Sequence, residues 1–233
     1  MERYIRQQRY LIAVDSIIFG FDGEELKLLL IHRGFEPEKG NWSLMGGFVE
    51  PEESLEMAAA RILKQLTGLS GVYMEQLHAF GNLNRDPVER TVSVVYYALI
   101  DIHQYEKQLS DNYHPEWFTL NKIPKLIFDH QQMVTIAKSK LRDKASVQPI
   151  LFELLPRKFT VPVLQNLYEN VYERKFDKRN FSRKVLSSGL LVKLKHKEKR
   201  RSKKGAFYYT LDKRKYRTQF NSFLNFTPFP SDL

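Results

Sequence analysis

Cysteine is absent from all 233 residues. That excludes disulfides and thiolate metal sites, and it fits a cytoplasmic setting. No apolar run approaches the roughly 20 residues that a membrane-spanning helix needs. The opening stretch, "MERYIRQQRY", is charged and lacks the apolar core of a secretory signal. There are no internal repeats. Acidic residues are scarce in the last third of the chain. Residues 1–150 carry 17 Lys and Arg against 20 Asp and Glu, a net −3, whereas residues 151–233 carry 20 against 7, a net +13. Basic residues can merely solvate a surface, but this density of one sign points to a polyanionic partner.

What is there divides into two parts, and the length suits two modest domains that each bury a core. "LIAVDSIIFGF" (11–21) and "ELKLLLIHR" (25–33) are rich in aliphatic and β-branched residues and flank the turn signal "DGE", so they predict adjacent strands. Further strands are predicted at 72–82, 90–100 and 116–120. After Pro124, the spacing of Ile127, Met133, Val134, Ala137 and Leu141 predicts a helix. Strands mixed with helices indicate an α/β domain over residues 1–148.

"ASVQPILFELLPRKF" (145–159), with Pro149 and Pro156, reads as a connector. Thr160 can cap a helix whose stripe is Leu164, Leu167, Tyr168 and Val171. A second helix, "DKRNFSRKVLSSG", ends near Gly189, a natural left-handed cap. "LLVKL" and "AFYYTL" read as strands joined by the basic tip "KHKEKRRSKKG". Helix, turn, helix, two strands and a charged tip describe a smaller winged helix-turn-helix domain over residues 149–233. The final "NFTPFPSDL" reads as irregular.

The segment "MGGFVEPEESLEMAAARILKQLTGL" (45–69) carries Gly47, Glu53, Arg61, Leu63, Gly68 and Leu69 at fixed spacing. This resembles the Nudix box, in which a glycine, an acidic loop and a helix with three further glutamates surround a metal-dependent active site. Six of the nine box positions match; the three helix glutamates are replaced by Ile62, Gln65 and Leu66. Those positions are i, i+3 and i+4 and share one helix face. In a Nudix hydrolase that face collects Mg²⁺, which needs oxygen ligands, and the metal activates water against a pyrophosphate. Here the face continues the stripe Leu55, Ala58, Ala59, Ile62 and Leu66 and reads as core. Glu50, Glu53 and Glu56 remain, either as remnants of the site or as first-turn residues favoured by the helix dipole. Glu50, Glu53 and Arg61 are thus vestiges of a box without catalytic or metal-ligating function, and no cofactor is expected.

The wider chain, through "FEPEKGNWSLMGGFV", "NRDPVERTVSVVYYALI", "IPKLIFDH" and "DKRNF", is similar to the Nudix-related transcriptional regulators. That resemblance implies a Nudix-type α+β mixed sheet sandwiched by helices, with a DNA-binding winged helix behind it. It further implies a repressor or activator of operons for NAD metabolism or sugar use. Effectors in the group are ADP-ribose-type nucleotides and, in a branch with degenerate boxes, the pentose L-arabinose; the lost carboxylates resemble that branch more.

Candidate ligand-binding residues are Arg33, Phe35, Trp42, Arg85, Asp86 and Arg90, the arginines for an anionic or hydroxyl-rich ligand and the aromatics for stacking. Asp129-His130, with no nucleophile in the pattern, reads as a helix cap or domain contact. On the second basic helix, Phe181 and Val185 face the core, while Arg179, Asn180, Arg183 and Lys184 lie on the opposite arc, with Lys178 at its margin, suited to base edges. Lys199, Arg200, Arg201, Lys203 and Lys204 form a tip suited to phosphates. The expected partners are double-stranded operator DNA, a small effector and a second copy in a homodimer, with no membrane. Two other readings compete. One is a Mg²⁺-dependent Nudix hydrolase of ADP-ribose-like nucleoside diphosphate compounds. The other is an RNA-binding or scaffold protein that uses the basic segment without reading sequence.

Overall fold

The computed structural model describes residues 6–110, 113–199 and 205–219. These divide into two compact units, residues 1–18, 28–98 and 107–137 forming the first and residues 19–27, 99–106 and 138–233 the second. The central sheet is seven-stranded. Strands β1 (Leu11–Phe21) and β2 (Leu26–His32) are the predicted pair; β3 (Trp42–Ser43), β4 (Met45–Phe48), β5 (Glu75–Phe80), β6 (Thr91–Asp101) and β7 (Glu116–Thr119) follow. The order is β3-β2-β1-β6-β5, with β4 on β1 and β7 on β2. The helices are α1 (Leu55–Thr67), the short α2 (Ile102–Tyr105) and α3 (His130–Val147). The two short strands β3 and β4 fall where the sequence shows only a loop before the box, because two and four residues give no periodicity to read.

The alternation of β1 sorts the two faces of the sheet. Val14 packs with Val94, Tyr96, Ala58, Ala59 and Ile62, so α1 covers that face. Asp15, one residue along, points to the other face. The register Val14↔Gly47 and Asp15↔Gly46 explains the glycine pair. A Cβ on Gly47 would come within 2.8 Å of Ile62 Cδ1, and one on Gly46 would collide with the Asp15 carboxylate. Helix α1 begins at Ser54, whose Oγ accepts from the Met57 N–H at 3.2 Å, and ends at Gly68 with φ of 81°.

In the second unit, α4 (Val161–Tyr172), α5 (Lys178–Ser187), α6 (Lys213–Gln219) and the antiparallel order β8-β10-β9 form the winged helix, with β8 Phe159–Thr160, β9 Leu191–Glu198 and β10 Ala206–Leu211. Thr160 caps α4, and Gly189, φ 69°, follows α5 as expected. The apolar stripe of α4 is buried throughout. The proline-flanked connector is not a loose linker. Ile150–Leu154 form a 3₁₀ turn in which Ile150, Leu151, Phe152 and Leu154 are buried, because an "ILFxLL" run has too much apolar surface to leave in water. The tip of the β1–β2 hairpin belongs to this unit as well: the Leu26 N–H donates to Asn170 Oδ1 at 3.2 Å and Asn166 Nδ2 donates to the Glu24 carbonyl at 2.6 Å. The final irregular segment and four of the five tip residues, Arg200, Arg201, Lys203 and Lys204, lie outside the described residues.

Candidate functional site

The box keeps its frame and has lost its metal face. Arg61 holds the surviving carboxylates: its Nε donates to Glu53 Oε2 at 2.8 Å, its Nη1 lies 3.4 Å from Glu50 Oε1, and its Nη2 donates to the Phe48 carbonyl at 3.0 Å. The Arg61 hydrogen bonds hold Glu53 at a pKa of about 2. Ile62 is buried and Leu66 packs half-buried against the same cluster. Gln65 is exposed, which corrects the expectation that all three replaced positions are core. The donor set does not fit a Mg²⁺ centre: two of the three helix positions are alkyl groups, and Glu53 is already paired with Arg61.

A cleft opens on the Asp15 face of the sheet, lined by Ala13, Asp15, Arg33, Phe35, Ser43, Gly46, Gly47, Phe48, Arg85, Asp86, Thr91, Phe128 and His130. Its floor is a buried polar network. Arg85 forks onto Asp129, Nε to Oδ2 at 3.1 Å and Nη2 to Oδ1 at 3.0 Å, and its Nη2 also lies 3.5 Å from Asp15 Oδ2. Ser93 Oγ donates to Asp15 Oδ2 at 2.6 Å. His130 Nδ1 accepts from the Leu44 N–H at 3.2 Å, which leaves the proton on Nε2, 3.5 Å from Asp15 Oδ1. Burial lowers the His130 pKa against the opposing pull of Asp15 and Asp129, so the ring is neutral.

Arg33 stands on the wall. Its Nε donates to the carbonyls of Phe35 at 3.2 Å and Pro37 at 2.6 Å, and its guanidinium lies over the rings of Phe35 at 4.0 Å and Phe128 at 5.3 Å. Among the described residues its two Nη groups make no hydrogen bond. Burial lowers its pKa, and the charges of Asp86 and Asp15 oppose that. The cleft therefore offers a forked cation for an anionic oxygen, aromatic faces for a ring, and carboxylates for hydroxyl groups.

Of the six expected ligand residues, the structure brings Arg33, Phe35, Arg85 and Asp86 to this cleft. Arg85 is committed to Asp129 rather than open, and buried rather than at a solvated turn. Trp42 and Arg90 do not line it. Trp42 stacks against His32 at 3.8 Å and Phe118 at 4.7 Å, and Arg90 donates to the Asn82 carbonyl at 2.8 Å beside the Tyr10 ring. Asp129 stands at the start of α3, as the cap reading has it, and together with His130 it is also part of the floor, which that reading did not include. Asp15 and Phe128 were missed. For Asp15 a signal existed, since a carboxylate inside the apolar run "LIAVDSIIFGF" requires a buried partner.

The second candidate site is α5. Asp177 caps it, its Oδ1 accepting from the Asn180 N–H at 2.8 Å. Phe181 and Val185 are buried, with Phe181 against Tyr168 and Phe176 at 5.5 and 6.0 Å. Lys178, Arg179, Asn180, Arg183 and Lys184 are exposed on the other arc. Arg183 Nη2 donates to Asn180 Oδ1 at 3.1 Å, which pairs two side chains suited to base edges. Lys199 is exposed at the end of β9. The wing also carries Lys193 and Lys197 over the Phe207 ring at 3.7 and 4.5 Å, an arrangement that was not anticipated.

Fold and sites together define a Nudix-type domain whose box lacks three of its glutamates, joined to a winged helix with an exposed basic helix. The NUDIX domain family model matches residues 9–137, and that of the NrtR DNA-binding winged helix domain matches residues 151–211. The chain belongs to the Nudix-related transcriptional regulators of the NrtR type. It is 37% identical over 185 residues, 78% of this chain and 74% of the relative, to the "ADPR responsive transcriptional repressor NtrR" of Acinetobacter baylyi. The structure of Shewanella oneidensis NrtR complexed with a 27mer DNA is similar with a TM-score of 0.77 at 31% identity, covering 88% of this chain and 95% of that one. The Nudix domain of the same Shewanella protein, complexed with ADP ribose, is similar with a TM-score of 0.52 at 32% identity over 60% of this chain and 97% of that one.

Proposed function

We propose that this transcriptional regulator is a cytoplasmic, homodimeric repressor. Its residues 1–148 bind an ADP-ribose-type nucleotide, and its residues 149–233 bind operator DNA. The observation that carries the effector reading is Arg33: a guanidinium fixed through Nε, set over two aromatic rings, with neither Nη group hydrogen-bonded among the described residues, beside a carboxylate-lined floor. A diphosphate oxygen suits the fork, ribose hydroxyls suit Asp15 and Asp86, and a ring suits Phe35 or Phe128. The printed name of the Acinetobacter relative and the ADP-ribose complex of the Shewanella domain support the same class. The lost box carboxylates are what this chain shares with the L-arabinose branch, so a pentose is the competing effector.

The DNA reading places Lys178, Arg179, Asn180, Arg183 and Lys184 against bases, and Lys199, Arg200, Arg201, Lys203 and Lys204 on phosphates. The test is calorimetry with ADP-ribose, NAD, L-arabinose and other pentoses, with and without a duplex selected from a random pool. ADP-ribose is expected to bind and to lower DNA affinity by a factor of about 5–150, with DNA lowering ADP-ribose affinity by the same factor. Binding of L-arabinose alone would move the chain to the sugar branch. A ligand that binds and leaves DNA affinity unchanged would remove the sensor reading.

A further inference from the structure

The body of the wing holds two of its lysines on one aromatic ring. Strands β9 and β10 pair as Ala206↔Glu198 and Phe207↔Lys197, and the register then slips, so that the next pair is Tyr209↔Lys193. Between Phe207 and Tyr209, β9 advances four residues while β10 advances two, the mark of a bulge that bends β9. Lys197 is thus the direct cross-strand neighbour of Phe207, and Lys193 is its diagonal one. Gly205, φ 67°, lets the strands close at this end. A Cβ there would come within 2.8 Å of the Glu198 carbonyl and 3.2 Å of Lys197 Cβ.

Residues four apart on a regular strand stand about 13 Å apart. Yet Lys193 Nζ lies 3.7 Å and Lys197 Nζ 4.5 Å from the centroid of the same Phe207 ring. Both lysines are exposed, whereas Phe207 is half-buried. Among the described residues neither lysine pairs with a carboxylate. Two like charges brought this close repel each other, and the negative face of the ring offsets part of that repulsion. An anion between them would offset the rest. Exposed lysines ordinarily keep their rotamer freedom and lose it on binding. Here the ring restricts both before any partner arrives.

We propose that Phe207 is a positioning residue for DNA binding: it holds Lys193 and Lys197 together so that the pair takes one backbone phosphate of the duplex. Ammonium groups are compact charges with three donors each, suited to phosphate oxygens and indifferent to base identity. The proposal rests on the DNA reading given above. It adds to the exposed helix and the wing tip a third contact, on the body of the wing and within the second unit alone.

The experiment uses the full chain with selected and random duplexes at several salt concentrations. The double variant Lys193→Ala with Lys197→Ala is expected to weaken both duplexes by the same factor. It should also reduce the slope of log affinity against log salt by about 0.9, the value for one phosphate contact. Phe207→Leu keeps both charges, so the slope is expected to hold while affinity for both duplexes falls about 2- to 10-fold, the cost of ordering a free lysine on binding. Phe207→Tyr keeps the ring and is expected to retain wild-type affinity. The loss caused by Phe207→Leu should vanish when both lysines are already alanine. A loss that persists in that background makes Phe207 a structural residue of the wing and overturns the proposal. Wild-type duplex affinity in Phe207→Leu overturns it too. ADP-ribose affinity without duplex is expected to be equal in all variants; a fall there would assign the lysines to the effector and overturn the proposal while leaving duplex binding intact. A wild-type protein that binds no duplex overturns the DNA reading and this proposal with it.

Discussion

At position 62 a side chain must fit against Gly47, Ala58 and Val14 with almost no exposure. A carboxylate there would be buried without a partner, whereas one at position 65 would stand in water. Ile62→Glu is therefore expected to destabilise the protein by about 3 kcal/mol or more. Gln65→Glu is expected to change stability by no more than about 0.5 kcal/mol. Urea denaturation separates the two, and equal costs would contradict the burial of Ile62. Two groups also set distinct pH windows. The neutral His130 has its folded pKa lowered by burial from 6.5, so the unfolded chain binds a proton first and stability falls as pH drops below 6.5. Glu53 has its folded pKa depressed by Arg61 from 4.5 to about 2, so its contribution is complete above 4.5 and is lost between 4.5 and 2. Thermal melts across pH should show the loss below 6.5 weakened in His130→Gln, and the loss below 4.5 weakened in Glu53→Gln. The glutamate itself was legible, since its spacing to Arg61 is that of the box. The histidine was not, because its partners Leu44 and Asp15 lie 86 and 115 residues away in the chain.

Among the elements, α5 shows how far periodicity alone reaches. Phe181 and Val185 four residues apart define the buried side, and the basic arc follows by elimination. The helix and the wing are expected to respond differently to mutation. Arg183→Ala should cost about 1–3 kcal/mol on the selected duplex and relax base preference there. Neutralising Lys199, Lys203 and Lys204 should weaken all duplexes alike and reduce the slope of log affinity against log salt by about 0.9 per lost phosphate contact. Titrations on selected and random duplexes at several salt concentrations separate these, and an equal loss on both duplexes for Arg183→Ala would reject α5 as the recognition helix. Short elements were the illegible ones. β3, β4 and β8 are two to four residues long, and pairing rather than propensity makes them strands. The connector is the opposite case: its prolines signal a break, and its apolar residues bury Ile150–Leu154 as a 3₁₀ turn.

For the whole molecule, a box with Ile62, Gln65 and Leu66 in place of its three helix glutamates makes binding rather than turnover the expected activity. Incubation with ADP-ribose and Mg²⁺ or Mn²⁺ should release no AMP, and turnover near 1 s⁻¹ abolished by EDTA would return the chain to the hydrolases. The sequence by itself determined the two-part division, the charge asymmetry, the box frame with its missing glutamates and the outward face of α5. Each of these is a local matter, fixed by spacing of 2 or 3.6 residues or by composition over a segment. Only the tertiary structure decided which residues meet. It buried Arg85, set Trp42 and Arg90 apart from the cleft, brought Asp15 from β1, Ser93 from β6 and Asp129 and His130 from the start of α3 onto one floor, and placed Arg33 in the cleft's lining over the Phe35 and Phe128 rings. Those contacts depend on strand order and register, which bring distant residues into one layer and leave no periodic trace in the chain.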